Sequence, residues 1–111
     1  MSIGNLRVNN ARLLQSLAHL AEVGAIEGGG VCRLALSDED RDARDLVVSW
    51  MRDAGLQITV DQAGNVIGTR KGISDGPPVL MGSHIDTVGT GGRYDGTLGV
   101  LAGLEVIRTL N

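Results

Sequence analysis

The sequence predicts an α/β fold, and one that this chain does not complete by itself. Three observations carry that expectation. Two stretches in the first half repeat apolar residues at helical steps, the region between residues 57 and 81 reads as extended segments, and the last stretch is aliphatic on nearly every side. A helix of that last kind has to be covered all round, and two amphipathic helices, a hairpin and one strand are too little to cover it. At 111 residues the chain is within the size of one domain and far below two.

The elements follow in order. Leu6, Val8, Leu13, Leu14, Leu17, Leu20 and Ala21 set a first helix from about Asn9 to near Gly24. The following GAIEGGGVCRLALS holds three consecutive glycines, Gly28 to Gly30. It reads as a flexible connector on composition, or as a loop lying against a bound ligand. Ser37 followed by Asp40 is a capping-box pattern, Ala43, Leu46, Val47, Trp50, Met51 and Ala54 keep one face apolar, and Gly55 stands where a C′ residue closes a second helix. The charges from Asp38 to Asp45 crowd its early turns, where acids suit the helix dipole, and read as a solvated face.

Ile58 and Val60 alternate with polar neighbours, DQAGN supplies turn chemistry, and Val66 to Arg70 resumes the extended pattern, so 57–70 is expected to be a hairpin. After the break KGISDGPP, the run Val79, Leu80, Met81 has the character of a strand buried on both faces. Leu98, Val100, Leu101, Leu104, Val106, Ile107 and Leu110 make the final helix, in which Gly99 and Gly103 leave room for close packing and Glu105 is either a buried acid or an exposed face.

Composition narrows the function classes. Net charge is −3 and the ten Lys and Arg residues are scattered, so no basic stripe suits a nucleic acid partner. A lone Cys32 cannot form an intrachain disulfide, which points to a reducing compartment, and it reads as a small buried side chain. The N-terminus lacks the basic and apolar regions of a signal peptide, and no run of eighteen apolar residues occurs, so a cytoplasmic protein without a membrane partner is expected.

The chemistry concentrates in GSHIDTVGTGGRYDGT, residues 82–97. His84 and Asp86 stand at i and i+2 at the end of the expected strand, on one face of an extended chain. A metal-bound histidine needs its second ring nitrogen held by an acceptor, and a neighbouring carboxylate supplies one. Asp95 follows a loop in which Gly89, Gly91 and Gly92 tolerate positive φ, so it can return to the same place. The position, where a strand gives way to a loop and helix, is the usual ligand site of open α/β sheets. Histidine plus one aspartate is half of a zinc shell, and His19 on the first helix reads as a surface or packing residue. A phosphate site or a plain structural turn stays open as a rival reading. Against phosphate, Tyr94 occupies the third glycine position of GxGxxG, GGRYDGT has no P-loop lysine, and Asp95 would repel the anion.

GSHIDTV, then GGRYDGTLGVLAGLEVI, preceded by LSDEDRDARDLVVSWMRDAGLQITVDQAGNVIG, closely resemble the N-terminal part of the N-carbamoyl-L-amino-acid hydrolases. Those group with allantoate amidohydrolases and β-ureidopropionases in a superfamily of di-zinc aminoacylases and exopeptidases. The likeness extends over roughly residues 10–111. It implies that His84 ligates one metal, that Asp95 bridges two, and that Asp86 orients His84. It further implies a three-layer catalytic domain with helices on a mixed β-sheet, of which residues 1–111 form the N-terminal portion. The lid and dimerisation domain, a glutamate pair and two later histidines would lie beyond it. Zinc is the expected cofactor, with Mn²⁺, Co²⁺ or Ni²⁺ also suited to imidazole and carboxylate. A small-molecule substrate and a homodimeric complete enzyme follow from the same likeness.

Two function classes result. One is a metal-dependent hydrolase cleaving a linear C–N amide bond of N-carbamoyl amino acids or related ureido compounds, with aminoacylase or metallopeptidase activity as the variant within the superfamily. The other is a non-catalytic fragment that acts, if at all, through association with a partner by its apolar helix.

Overall fold

The structure is a computed structural model and describes residues 3–111. After a short 3-10 turn, Ile3–Asn5, helix α1 spans Asn10–Ala21. Asn9 caps it, its side chain accepting from the Arg12 amide at 3.0 Å, which satisfies one of the free N–H groups of the first turn. Leu6 and Val8, which extend the apolar period, therefore precede the helix. Leu17, Leu20 and Ala21 form its buried face.

The glycine-rich segment that follows is not a loose connector. Ala25 bridges Val31, and Val31 in turn exchanges both of its backbone hydrogen bonds with Gly91, each at 2.9 Å. Gly28 and Gly29, at φ 92° and 89°, make the reversal, and Val31 is fully buried.

Helix α2 spans Asp38–Asp53. Ser37 Oγ accepts from the Asp40 amide at 3.2 Å, as the capping pattern requires. The reciprocal arm differs: the Asp40 carboxylate accepts from the amide of Leu36 at 2.9 Å, while the Ser37 amide donates to the Leu34 carbonyl at 3.1 Å. Asp40 is buried in consequence, which corrects its assignment to a solvated face. Gly55 ends the helix at φ 84°, where a side chain would be strained.

Strands β1, Gln57–Val60, and β2, Val66–Thr69, pair antiparallel with Val60 opposite Val66. Asp61 organises the turn by accepting from the amides of Ala63 and Asn65 and from the Asn65 side chain. Among the described residues this hairpin is the one sheet. The expected strand over Val79, Leu80 and Met81 does not form, and Val79 and Leu80 are 90% and 85% exposed. A strand buried on both faces needs neighbouring strands for its backbone and a layer on each side for its side chains, and residues 3–111 provide neither there.

Helix α3 spans Thr97–Leu110 and packs on α1. Leu101 and Leu104 meet Leu17, Leu20, Ala43, Val47 and Leu56 in the core, while Leu98 stays exposed, so the helix is not covered all round. Glu105 is a buried acid: Arg12 Nε donates to it at 2.7 Å and the Asn9 amide at 3.2 Å. The Arg12 hydrogen bond, opposed by burial, holds the Glu105 carboxyl at about 2, well below the usual range.

Candidate metal centre

The segment that carries His84 and Asp86 has no strand partner, and other contacts hold it. The Thr87 amide donates to the Arg33 carbonyl at 2.7 Å, and the Arg33 amide donates to Thr87 Oγ1 at 2.8 Å. The Arg33 side chain crosses beneath: Nε donates to the Ile85 carbonyl at 2.8 Å, and Nη1 to the carbonyls of Leu20 and Val23 at 2.9 and 2.7 Å. Burial pushes the Arg33 guanidinium below its ordinary pKa, against the opposing fields of Asp40 and Asp86.

Glycines bring the second half of the stretch close. A Cβ at Gly96 would overlap the His84 ring and carbonyl oxygen, and Gly96 sits at φ 71°. A Cβ at Gly91 would stand 2.7 Å from Thr87 Cβ, and one at Gly99 would stand 2.8 Å from Ser83 Cβ. Gly99 thus serves the close packing expected of it. The positive φ lies at Gly96, not at Gly89, Gly91 or Gly92 as the loop composition had suggested.

His84, Asp86 and Asp95 come together at this point. His84 Nδ1 lies 3.0 Å from the Asp86 carbonyl oxygen and 3.2 Å from its carboxylate. Both of those atoms accept, so Nδ1 is the ring nitrogen that donates to them. Nε2 faces the Asp95 carboxylate at 3.6 Å. Two donor atoms of one tetrahedral zinc, at about 2.0–2.2 Å from the ion, stand roughly 3.4 Å apart. The pair therefore fits a shared cation, and His84 is half-exposed and Asp95 largely exposed, so one can enter. Among the described residues no group of three or more His, Cys, Asp or Glu side chains is arranged to hold a metal ion.

A cavity of about 360 Å³ opens beside His84 and Asp86, bounded by Leu36, Arg44, Val47, Met51 and Val66. A larger one, about 450 Å³, lies among Arg12, Ser16, His19, Trp50 and Arg108 and contains none of the three. His19 is exposed and Cys32 is partly buried, less enclosed than expected. The residues that sequence reasoning missed are Arg33, Thr87 and Gly96. The available signals were an arginine set among the apolar residues of VCRLAL and a glycine directly after the second aspartate.

The fold and this arrangement define an α/β segment that brings a histidine and a carboxylate together at the start of a helix. No protein-family profile matches the chain. Individual proteins do. It is 51% identical over 105 residues to N-carbamoyl-L-amino acid amidohydrolase of Geobacillus stearothermophilus, covering 94% of this chain and 26% of that protein. It is 44% identical over 92 residues to allantoate amidohydrolase of Bacillus subtilis, covering 82% and 22%. Among solved structures, a hydantoinase/carbamoylase family amidase from Burkholderia ambifaria superposes with a TM-score of 0.92 at 55% identity, over 95% of this chain and 26% of that one. By sequence and fold the chain is similar to the N-terminal part of these amidohydrolases, and it spans about a quarter of their length. No helix among the described residues is long and apolar enough to cross a membrane.

Proposed function

We propose that this chain supplies half of a two-cation site in an amidohydrolase that cleaves the linear C–N bond of N-carbamoyl amino acids or a related ureido compound such as allantoate. The observation that carries the reading is the approach of His84 Nε2 to the Asp95 carboxylate at 3.6 Å, with the other ring nitrogen held by Asp86. The names of the relatives supply the substrate class. In this reading His84 binds one cation, Asp95 is shared by two, and Asp86 orients the His84 ring. Zinc is the natural occupant, and manganese, cobalt and nickel are compatible with the same donors.

Bound cations supply polarisation of the scissile carbonyl and a water of lowered pKa. The chain's own residues bind and orient. His84 offers a ring nitrogen, Asp86 keeps the ring facing Asp95, and Gly96 lets the second acid approach. The general base and the remaining ligands come from the rest of the polypeptide, and the complete enzyme is a cytoplasmic homodimer acting on a small molecule.

A chimera tests this. The chain replaces the matching quarter of the Geobacillus stearothermophilus enzyme, and release of free amino acid is followed with zinc, manganese or cobalt present. Activity on N-carbamoyl-L-amino acids or allantoate is expected, and His84→Ala and Asp95→Ala are each expected to reduce it by at least about 100-fold, the upper end of what even an outer partner of a ligand costs. A folded chimera that is inactive on both substrates with every metal, or that keeps its turnover after His84→Ala, overturns the reading.

A further inference from the structure

We propose that Arg33 is a positioning residue of this metal centre: its buried guanidinium ties the segment bearing His84 to the helix start that follows Asp95, and so sets the distance between the two ligands. The metal part of this inference rests on the function proposed above; the positioning part does not.

Arg33 is 1% exposed, and among the described residues no carboxylate forms an ion pair with it. Burying an arginine without a paired acid costs several kcal/mol unless its N–H groups find acceptors. They do, and the acceptors come from three parts of the chain. The Leu20 and Val23 carbonyls lie at the end of α1, where the helix dipole favours a cation. The Ile85 carbonyl lies between His84 and Asp86. Thr97 Oγ1, at 3.5 Å, is the first residue of α3 and stands two residues past Asp95. The main chain of Arg33 adds a fourth attachment through its two bonds with Thr87.

Closing the end of α1 needs only the first two of these bonds, and a lysine could make them. The fork of a guanidinium is needed to hold Ile85 and Thr97 at the same time, because an ammonium is a point charge without a planar spread of donors. Between those two residues runs the glycine-rich loop, which the paired backbone bonds of Gly91 with Val31 anchor near its middle. Ligands must be held within about 0.5 Å of their working positions, and Arg33 contacts both sides of the gap.

The experiment uses the chain as it is. Proton NMR follows the His84 ring, distinguished from His19 by a His19→Gln reference, and reads the cross-relaxation between His84 Hε1 and the Gly96 Hα protons that their close approach demands. Zinc chloride titration then gives the affinity. In Arg33→Lys with helical circular dichroism retained, we expect the cross-peak to vanish and zinc affinity to fall by about tenfold or more, the scale of losses when partners of metal ligands are removed. Retention of the cross-peak, or zinc affinity within about twofold of the unsubstituted chain, overturns the proposal. Should Arg33→Lys fail to fold, Thr87→Val replaces it: the valine is expected to lose the cross-peak and Thr87→Ser to restore it, and a valine variant indistinguishable from the starting chain overturns the proposal. A cross-peak that depends on Arg33 in a chain that takes up no zinc supports the positioning role, since half a coordination shell holds zinc weakly. Equal zinc uptake by both chains sinks Arg33 alone.

Discussion

The packed faces of α1, α2 and α3 and the extended run Val79–Met81 are equally aliphatic, yet the first are buried and the second faces solvent. The difference lies in what each element needs from elsewhere. A helix pairs its own backbone and asks neighbours only for side-chain contact, which three helices give one another. An extended run must find backbone partners in other strands and cover from a layer on each face. The site lies at the junction of these regimes, with Asp95 leading into a well-packed helix and His84 at the end of an unpaired segment.

That comparison can be broken at four points. Leu20→Ala, at the centre of the helical core, is expected to cost about 2–5 kcal/mol by denaturant unfolding; a loss under about 1 kcal/mol would mean that the helices do not carry the stability. Gly96→Ala forces a left-handed conformation and an overlap with His84. About 1–3 kcal/mol should be lost, with the His84 ring displaced in NMR spectra, and an unmoved ring would show that the junction is slack.

The Glu105 carboxyl is depressed to about 2 from an ordinary 4.5, so its contribution is fully present above the ordinary value and is lost as pH falls towards about 2. Stability measured from pH 7 downward should drop through that window, and Glu105→Gln should remove that part of the slope; an unchanged slope would locate acid sensitivity elsewhere. Leu80→Ser, on the exposed run, should change stability by less than about 0.5 kcal/mol. A larger loss would place Leu80 in a core after all.

What the sequence made legible was local. The hairpin was readable because DQAGN turns the chain by itself, and α2 because Ser37 and Gly55 cap it within a few residues. Asp40 was misread, since its partner, the Leu36 amide, lies one residue outside the Ser37–Asp40 capping pattern. The run at 79–81 misled because its composition describes a strand whose partners are not local. Spacing allowed a meeting of His84, Asp86 and Asp95 without requiring it, whereas Arg33 acts on Ile85 across 52 positions and has no periodic signature.

One of the two acceptors that hold the His84 ring is the main-chain oxygen of residue 86. Substitution can remove the acid there but not that oxygen. The orientation of the imidazole is therefore written into the path of the backbone, and an asparagine or alanine at this position inherits it. In the function proposed above, the Asp86 carboxylate adds negative charge beside the ring, which would raise the basicity of the opposite nitrogen towards a cation.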